Sequence, residues 1–164
     1  MRRILSSPYA RATLVLAAVL AVDQVSKRIV RHDIEIGEQV KLLPGIQLVH
    51  TTNHGVAFGL AAKDQLLVTV IVILALIGLL AYFATHSRRP LIWLPTGLLL
   101  GGALGNLIDR LSEGSVVDFV QLPLGWPPFN LADVSIVAGV VLLLIAIEAP
   151  RARTSERGRD ETAV

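Results

Sequence analysis

Asp118 and Asp133 are the residues of this chain best suited to chemistry. Each sits between apolar neighbours, Val117 and Phe119 for the first, Ala132 and Val134 for the second, with no basic residue within four positions. Apolar surroundings disfavour an ionised carboxylate and raise its pKa. Two such groups facing each other share one proton, so that one can act as base on a water while the other, protonated, polarises a carbonyl. Such a pair hydrolyses amide bonds. The same residues also have an ordinary reading: Asn130 suits a helix N-cap, Asp133 the acidic third residue behind it, and Asp118 a turn. On these residues alone both readings stand.

The other acids on this part of the chain have basic partners close in sequence. Asp23 has Lys27 at i+4, Asp109 adjoins Arg110, and Glu113 is i+3 from Arg110. These read as ion pairs that hold helices in register. His50 and His54 are four apart, but Gly55 and the β-branched residues before them argue against a helix there, and no HExxH-type pattern supports a metal site. There is no GxSxG, and Ser26 and Lys27 are adjacent, so they face different sides of a helix.

The elements that must position these groups are apolar. Of 164 residues, 53% are hydrophobic and 17% charged, against about 25% charged in an ordinary soluble domain. Four runs read as membrane spans, over residues 12–30, 66–84, 91–108 and 134–149, each close to the length that crosses about 30 Å of hydrocarbon. The basic start and short apolar core of the first also suit a secretory signal peptide. Asp23, Gln24, Ser26 and Lys27, continuing at helical spacing, favour a span with a polar face. Gln39–Leu43 and Ile46–Thr52 flank Pro44-Gly45 and predict a β-hairpin. Leu111–Asp133 reads as a long loop with Phe119, Trp126 and Phe129 as interface anchors. Gly101 and Gly105 form a GxxxG that lets helices approach closely. The expected organisation is one domain over residues 1–150 and a disordered polar tail over 151–164.

Nine of the fifteen Lys and Arg residues lie at the N-terminus, in the Thr85–Pro90 turn and in the tail. The positive-inside rule then puts both termini in the cytoplasm and both long loops outside. At 1.5 Å per helical residue, Asp23, Lys27, Asn106 and Asp109 stand about 18 to 27 Å above the inner edge. Asp133 opens the fourth span from the outer side, and Asn53 and Asp118 lie in the outer loops. Costly ionisable groups that gather at one depth face a common site. A transporter would need polar groups through the whole bilayer, and the inner halves of the spans are apolar. A non-catalytic assembly protein would leave Asp118 and Asp133 dispensable. The basic residues flank apolar runs and only 5% of residues are aromatic, which sets nucleic acid aside. The chain has no cysteine, which excludes disulfides, thiolate catalysis and thiolate metal sites.

Five blocks carry a resemblance: Asp23-Gln24-Val25-Ser26-Lys27, Asn53 to Gly59, Gly101 to Arg110, Val116-Val117-Asp118-Phe119, and Phe129-Asn130-Leu131-Ala132-Asp133. In this order, on four spans, they resemble the bacterial lipoprotein signal peptidases (signal peptidase II). The resemblance covers roughly residues 10–150. It implies a metal- and cofactor-independent aspartic endopeptidase of the inner membrane, inhibited by globomycin; a monomer is the default expectation. That enzyme removes the signal peptide from a diacylglyceryl-modified prolipoprotein just before the lipidated cysteine. It implies an all-α integral membrane protein of four transmembrane helices with a small extracytoplasmic β-sheet cradle. Asp118 and Asp133 would be the dyad, and Asp23, Lys27, Asn53, Gly55, Asn106, Arg110 and Asn130 would hold dyad and substrate. On this reading the glycines of the third span leave space beside the scissile bond, and Pro123, Pro127 and Pro128 return the chain so that Asp118 faces Asp133.

Overall fold

A computed structural model describes residues 7–54, 65–87, 89–123 and 125–148. The elements run α1 (Pro8–Asp33), β1 (Gln39–Leu43), β2 (Ile46–Asn53), α2 (Gln65–His86), α3 (Trp93–Glu113), β3 (Val116–Gln121) and α4 (Leu131–Glu148). Gly55 and the tail lie outside the described residues. The helices are longer than the apolar runs that predict them. Pro8 opens α1 in its first turn, where a missing N–H has no helical partner to lose. α3 continues five residues past Ile108 and ends on Gly114, whose φ of 71° is the left-handed cap. Asp109 and Arg110, beyond the expected end at Ile108, therefore share the helix with Asn106, and Arg110 stands in its last turn. α4 begins at Leu131, three residues before the expected start.

The hairpin forms as expected, with Gln39 opposite Val49 and Lys41 opposite Gln47. The expected loop after α3 is in part a strand. β3 pairs antiparallel with β2, Asp118 opposite Thr51 and Val116 opposite Asn53, to complete a sheet ordered β1-β2-β3. Successive strand residues point to opposite faces. Val117 and Phe119 point into a core with Val30 and Ile34 of α1, and Asp118 points the other way. Its apolar neighbours thus anchor the strand rather than surround the carboxyl.

α3 packs against α1, α2 and α4. A Cβ on Gly97 would lie 2.7 Å from the carbonyl oxygen of Ala12, and one on Gly101 2.8 Å from Val19 Cβ. Gly102 meets Ser135 and Ala132 of α4. The stripe is filled by neighbouring helices and does not leave the open space expected of it. α2 and α4 each hold an 18-residue stretch of mean hydropathy 2.2 and 2.4, little of it buried. Leu66, Ile71, Leu74 and Ile77 on α2 and Val137, Leu144 and Ile145 on α4 are exposed, an apolar surface suited to lipid.

Candidate active site

α4 opens on a reciprocal cap. The Asp133 backbone N–H donates to Asn130 Oδ1 at 3.0 Å, and the Asn130 backbone N–H donates to Asp133 Oδ2 at 3.1 Å. This is a capping box, with Asn130 as N-cap and Asp133 as the third helical residue. The ordinary reading of Asn130 and Asp133 is therefore correct as local structure, while Asp118 is no turn residue but lies within β3. Asn130 also does more. Because Asn130 Oδ1 accepts from a backbone N–H, its Nδ2 must be the atom on the other side. That nitrogen donates to Asp118 Oδ1 at 2.7 Å, to the Val117 carbonyl at 3.3 Å and to Asn106 Oδ1 at 3.2 Å. One buried asparagine thus touches both aspartates.

Asp118 reaches it because the chain folds back after β3. Phe129 bridges to Val120, its N–H and carbonyl both engaged with that residue, so Asn130 comes beside Asp118. Thr51 Oγ1 donates to the Asp118 carbonyl at 2.9 Å, and Asn53 Nδ2 donates to Asp118 Oδ2 at 3.0 Å. Asp118 is 4% exposed. Burial pushes its carboxyl up to about 6, the charge of Asp133 adds to this, and the hydrogen bonds from Asn53 and Asn130 act in the opposite sense.

On the helix side, Asn106 Nδ2 donates to Asp133 Oδ1 at 2.9 Å. Arg110, one turn on, donates to the Asn106 carbonyl at 3.3 Å and is close enough for its charge to act on Asp133, Asp118 and Asp109. Asp23 and Lys27 are both 0% exposed and pair at 2.8 Å. Asp23 Oδ1 also accepts the Ala132 N–H at 2.9 Å, which satisfies a second free donor of α4's first turn from a different helix. Every predicted site residue within the described residues belongs to this cluster. Gly55 lies outside them.

One expectation changes. The ion pairs of Asp109 run across to α1, to Lys27 at 2.9 Å and Arg31 at 3.3 Å, because neighbours along a helix point to different faces. His50 is buried on β2 and its Nδ1–H donates to the Ile34 carbonyl at 2.8 Å, which ties the end of α1 to the sheet. Residues that sequence reasoning did not assign to the site also enter it. Gln24 Nε2 donates to Asp109 Oδ1 at 3.1 Å and to the Gly105 carbonyl at 3.2 Å. Its place beside Asp23, three residues from Lys27, was the available signal.

The family model described as signal peptidase (SPase) II matches residues 15–148. The chain belongs to the signal peptidase II family. It is 45% identical over 149 residues to the lipoprotein signal peptidase of Moorella thermoacetica, covering 90% of this chain and 97% of that one. It is 38% identical over 141 residues to that of Listeria monocytogenes, covering 82% and 90%. A solved bacterial membrane enzyme at 2.3 Å resolution superposes with a TM-score of 0.79 at 31% identity, over 90% of this chain and 93% of the other. As a signal peptidase II the protein is a protease and a membrane enzyme. The Asp23, Asn106–Arg110, Asp118 and Asn130–Asp133 blocks, separate in sequence, are one contiguous cluster in it.

Proposed function

We propose that this signal peptidase II cleaves lipid-modified prolipoproteins by an aspartic mechanism, with Asp118 and Asp133 as the dyad. The observation that carries the reading is Asn130, which hydrogen-bonds both carboxylates in a buried setting. One carboxyl, protonated, donates to the scissile carbonyl oxygen. The other takes a proton from a water, whose oxygen attacks the carbonyl carbon. Collapse of the tetrahedral intermediate expels the amine of the lipidated cysteine, which leaves with a proton from the dyad. Charge balance supports a single shared proton. Asp23, Asp109, Asp118 and Asp133 face Lys27, Arg31 and Arg110, so one proton makes the set neutral in a low-dielectric site.

The reading extends to four spans, with both termini cytoplasmic and the dyad at the outer face. The ends of α1 and α3 and the start of α4 meet the sheet, and the acids collect there. An apolar cleft of about 390 Å³ runs beside the first turns of α4, lined by Val19 and Val22 of α1 and Leu131, Val134 and Ser135 of α4. It supports a substrate that arrives from lipid. The enzyme acts as a monomer in contact with membrane lipid. The test is mass spectrometry of the products from a precursor with and without its diacylglyceryl group. The expected result is a mature chain that begins at the modified cysteine, and no cleavage of the unmodified precursor. Equal cleavage of both contradicts the substrate assignment.

A further inference from the structure

Lys27 Nζ meets three acceptors: Asp23 Oδ2 at 2.8 Å, Asp109 Oδ2 at 2.9 Å and Asn106 Oδ1 at 2.8 Å. An ammonium carries three N–H donors and no acceptor. At 0% exposure, these three contacts use every donor it has. The orientation of an asparagine amide is ordinarily undetermined, because its oxygen and nitrogen have nearly the same shape. Here the ammonium decides it, since the atom 2.8 Å from Nζ has to be the oxygen. The Asn106 nitrogen then points to the far side of the amide, where Asp133 Oδ1 lies at 2.9 Å. A turned amide would set its NH2 against the ammonium and its oxygen against the carboxylate.

We infer that Lys27 is a positioning residue that fixes the polarity of the dyad's hydrogen bonds: by holding Asn106 oxygen-inward, it obliges Asn106 to donate to Asp133. Asn130 Nδ2 also reaches Asn106 Oδ1, at the longer distance of 3.2 Å, and has Asp118 Oδ1 and the Val117 carbonyl as its other acceptors. It is the weaker constraint. The inference rests on the dyad reading. The charged groups facing Asp133 are Asp118 from β3 and Arg110 from α3, with Lys27 and Asp23 of α1 one residue removed. Lys27 reaches Asp133 through Asn106 and, by way of Asp23, through the Ala132 N–H on the same helix turn, and its charge also favours the ionised form of Asp118.

The experiment follows kcat and KM for a diacylglyceryl-modified precursor across pH in the wild type, in Lys27→Met/Asp109→Asn and in Asp133→Asn. The double variant removes one buried charge of each sign. Thermal unfolding reports whether it folds. The expected result is a kcat about 100-fold lower with KM changed by less than about threefold. The acid limb of the kcat profile moves to higher pH, because a carboxylate that loses an N–H donor protonates more readily. Should the double variant not fold, Lys27→Met/Asp23→Asn is read in its place. It also removes one charge of each sign and leaves Asn106 Oδ1 without the ammonium donor, so the same shift is expected. A folded variant with the wild-type kcat and pH profile overturns the inference and leaves the dyad intact, provided Asp133→Asn is inactive. Full turnover in Asp133→Asn removes the dyad reading, and this inference with it.

Discussion

Asn130 Nδ2 lies 2.7 Å from Asp118 Oδ1 while the rest of the same residue caps the helix that carries Asp133. The consequence is that one side chain couples local structure to the site. Asn130→Ala removes the side-chain cap on the Asp133 N–H and the contact to Asp118, and keeps the backbone N–H that donates to the Asp133 carboxylate. It is expected to cost about 1 kcal/mol of stability and about 100-fold or more in kcat. Asn130→Asp keeps an N-cap oxygen but turns a donor into an acceptor facing Asp118. The cap should be kept and activity lost, with a stability cost from the buried like-charge contact that fades as the carboxyls protonate at low pH. Unfolding curves and initial rates on the two variants separate capping from site geometry.

Gly105 is needed where it stands. A Cβ there would be 2.5 Å from Asp23 Oδ2. In Gly105→Ala the carboxylate must move, and it is the group that accepts the Ala132 N–H and pairs with Lys27. The expected outcome is destabilisation of about 1–3 kcal/mol and a loss of kcat that exceeds the loss in Gly78→Ala, where an added Cβ meets nothing within 4 Å.

Burial of Asp118 has a stability cost with a defined pH window. Its folded carboxyl protonates near 6, against 3.8 as the ordinary value. Below 3.8 both states hold the proton and nothing is lost. Between 3.8 and about 6 the unfolded chain releases the proton first, so the folded state binds more and stability falls as pH rises. Above about 6 the loss is complete. Asp118→Asn lacks this ionisation and is expected to be more stable than the wild type at pH 7 by about 1–3 kcal/mol. The difference shrinks toward pH 4. Detergent-solubilised protein unfolded at a series of pH values checks both size and direction.

Gln24 stitches α1 to α3 through the Gly105 carbonyl and Asp109. Gln24→Ala leaves the lysine pair in place but frees two acceptors in a half-buried setting. A destabilisation of about 1–2 kcal/mol is expected, with KM unchanged, as read by unfolding and by steady-state rates.

The apolar runs made the helices legible, and Pro44-Gly45 between β-prone runs made the hairpin legible. β3 was not, because an aspartate interrupts its short apolar run and its partner strand lies more than sixty residues earlier. α3 was read too short because Asp109, Arg110 and Glu113 look like residues past a membrane edge. They remain helical because Asp109 finds Lys27 and Arg31 on α1, a tertiary pairing that sequence adjacency misassigned. Asp118 and Asp133 stood out from the lack of basic neighbours in sequence. The polarity of the amides between them was not legible, because it depends on which donor faces which acceptor across four elements.

The central claim is tested most directly by cleavage of a diacylglyceryl-modified precursor with purified Asp118→Asn and Asp133→Asn, each first shown to fold as the wild type does. A fall of at least about 1,000-fold in kcat is expected for each, since neither remaining carboxyl can serve as both acid and base. Full turnover by either variant contradicts the dyad.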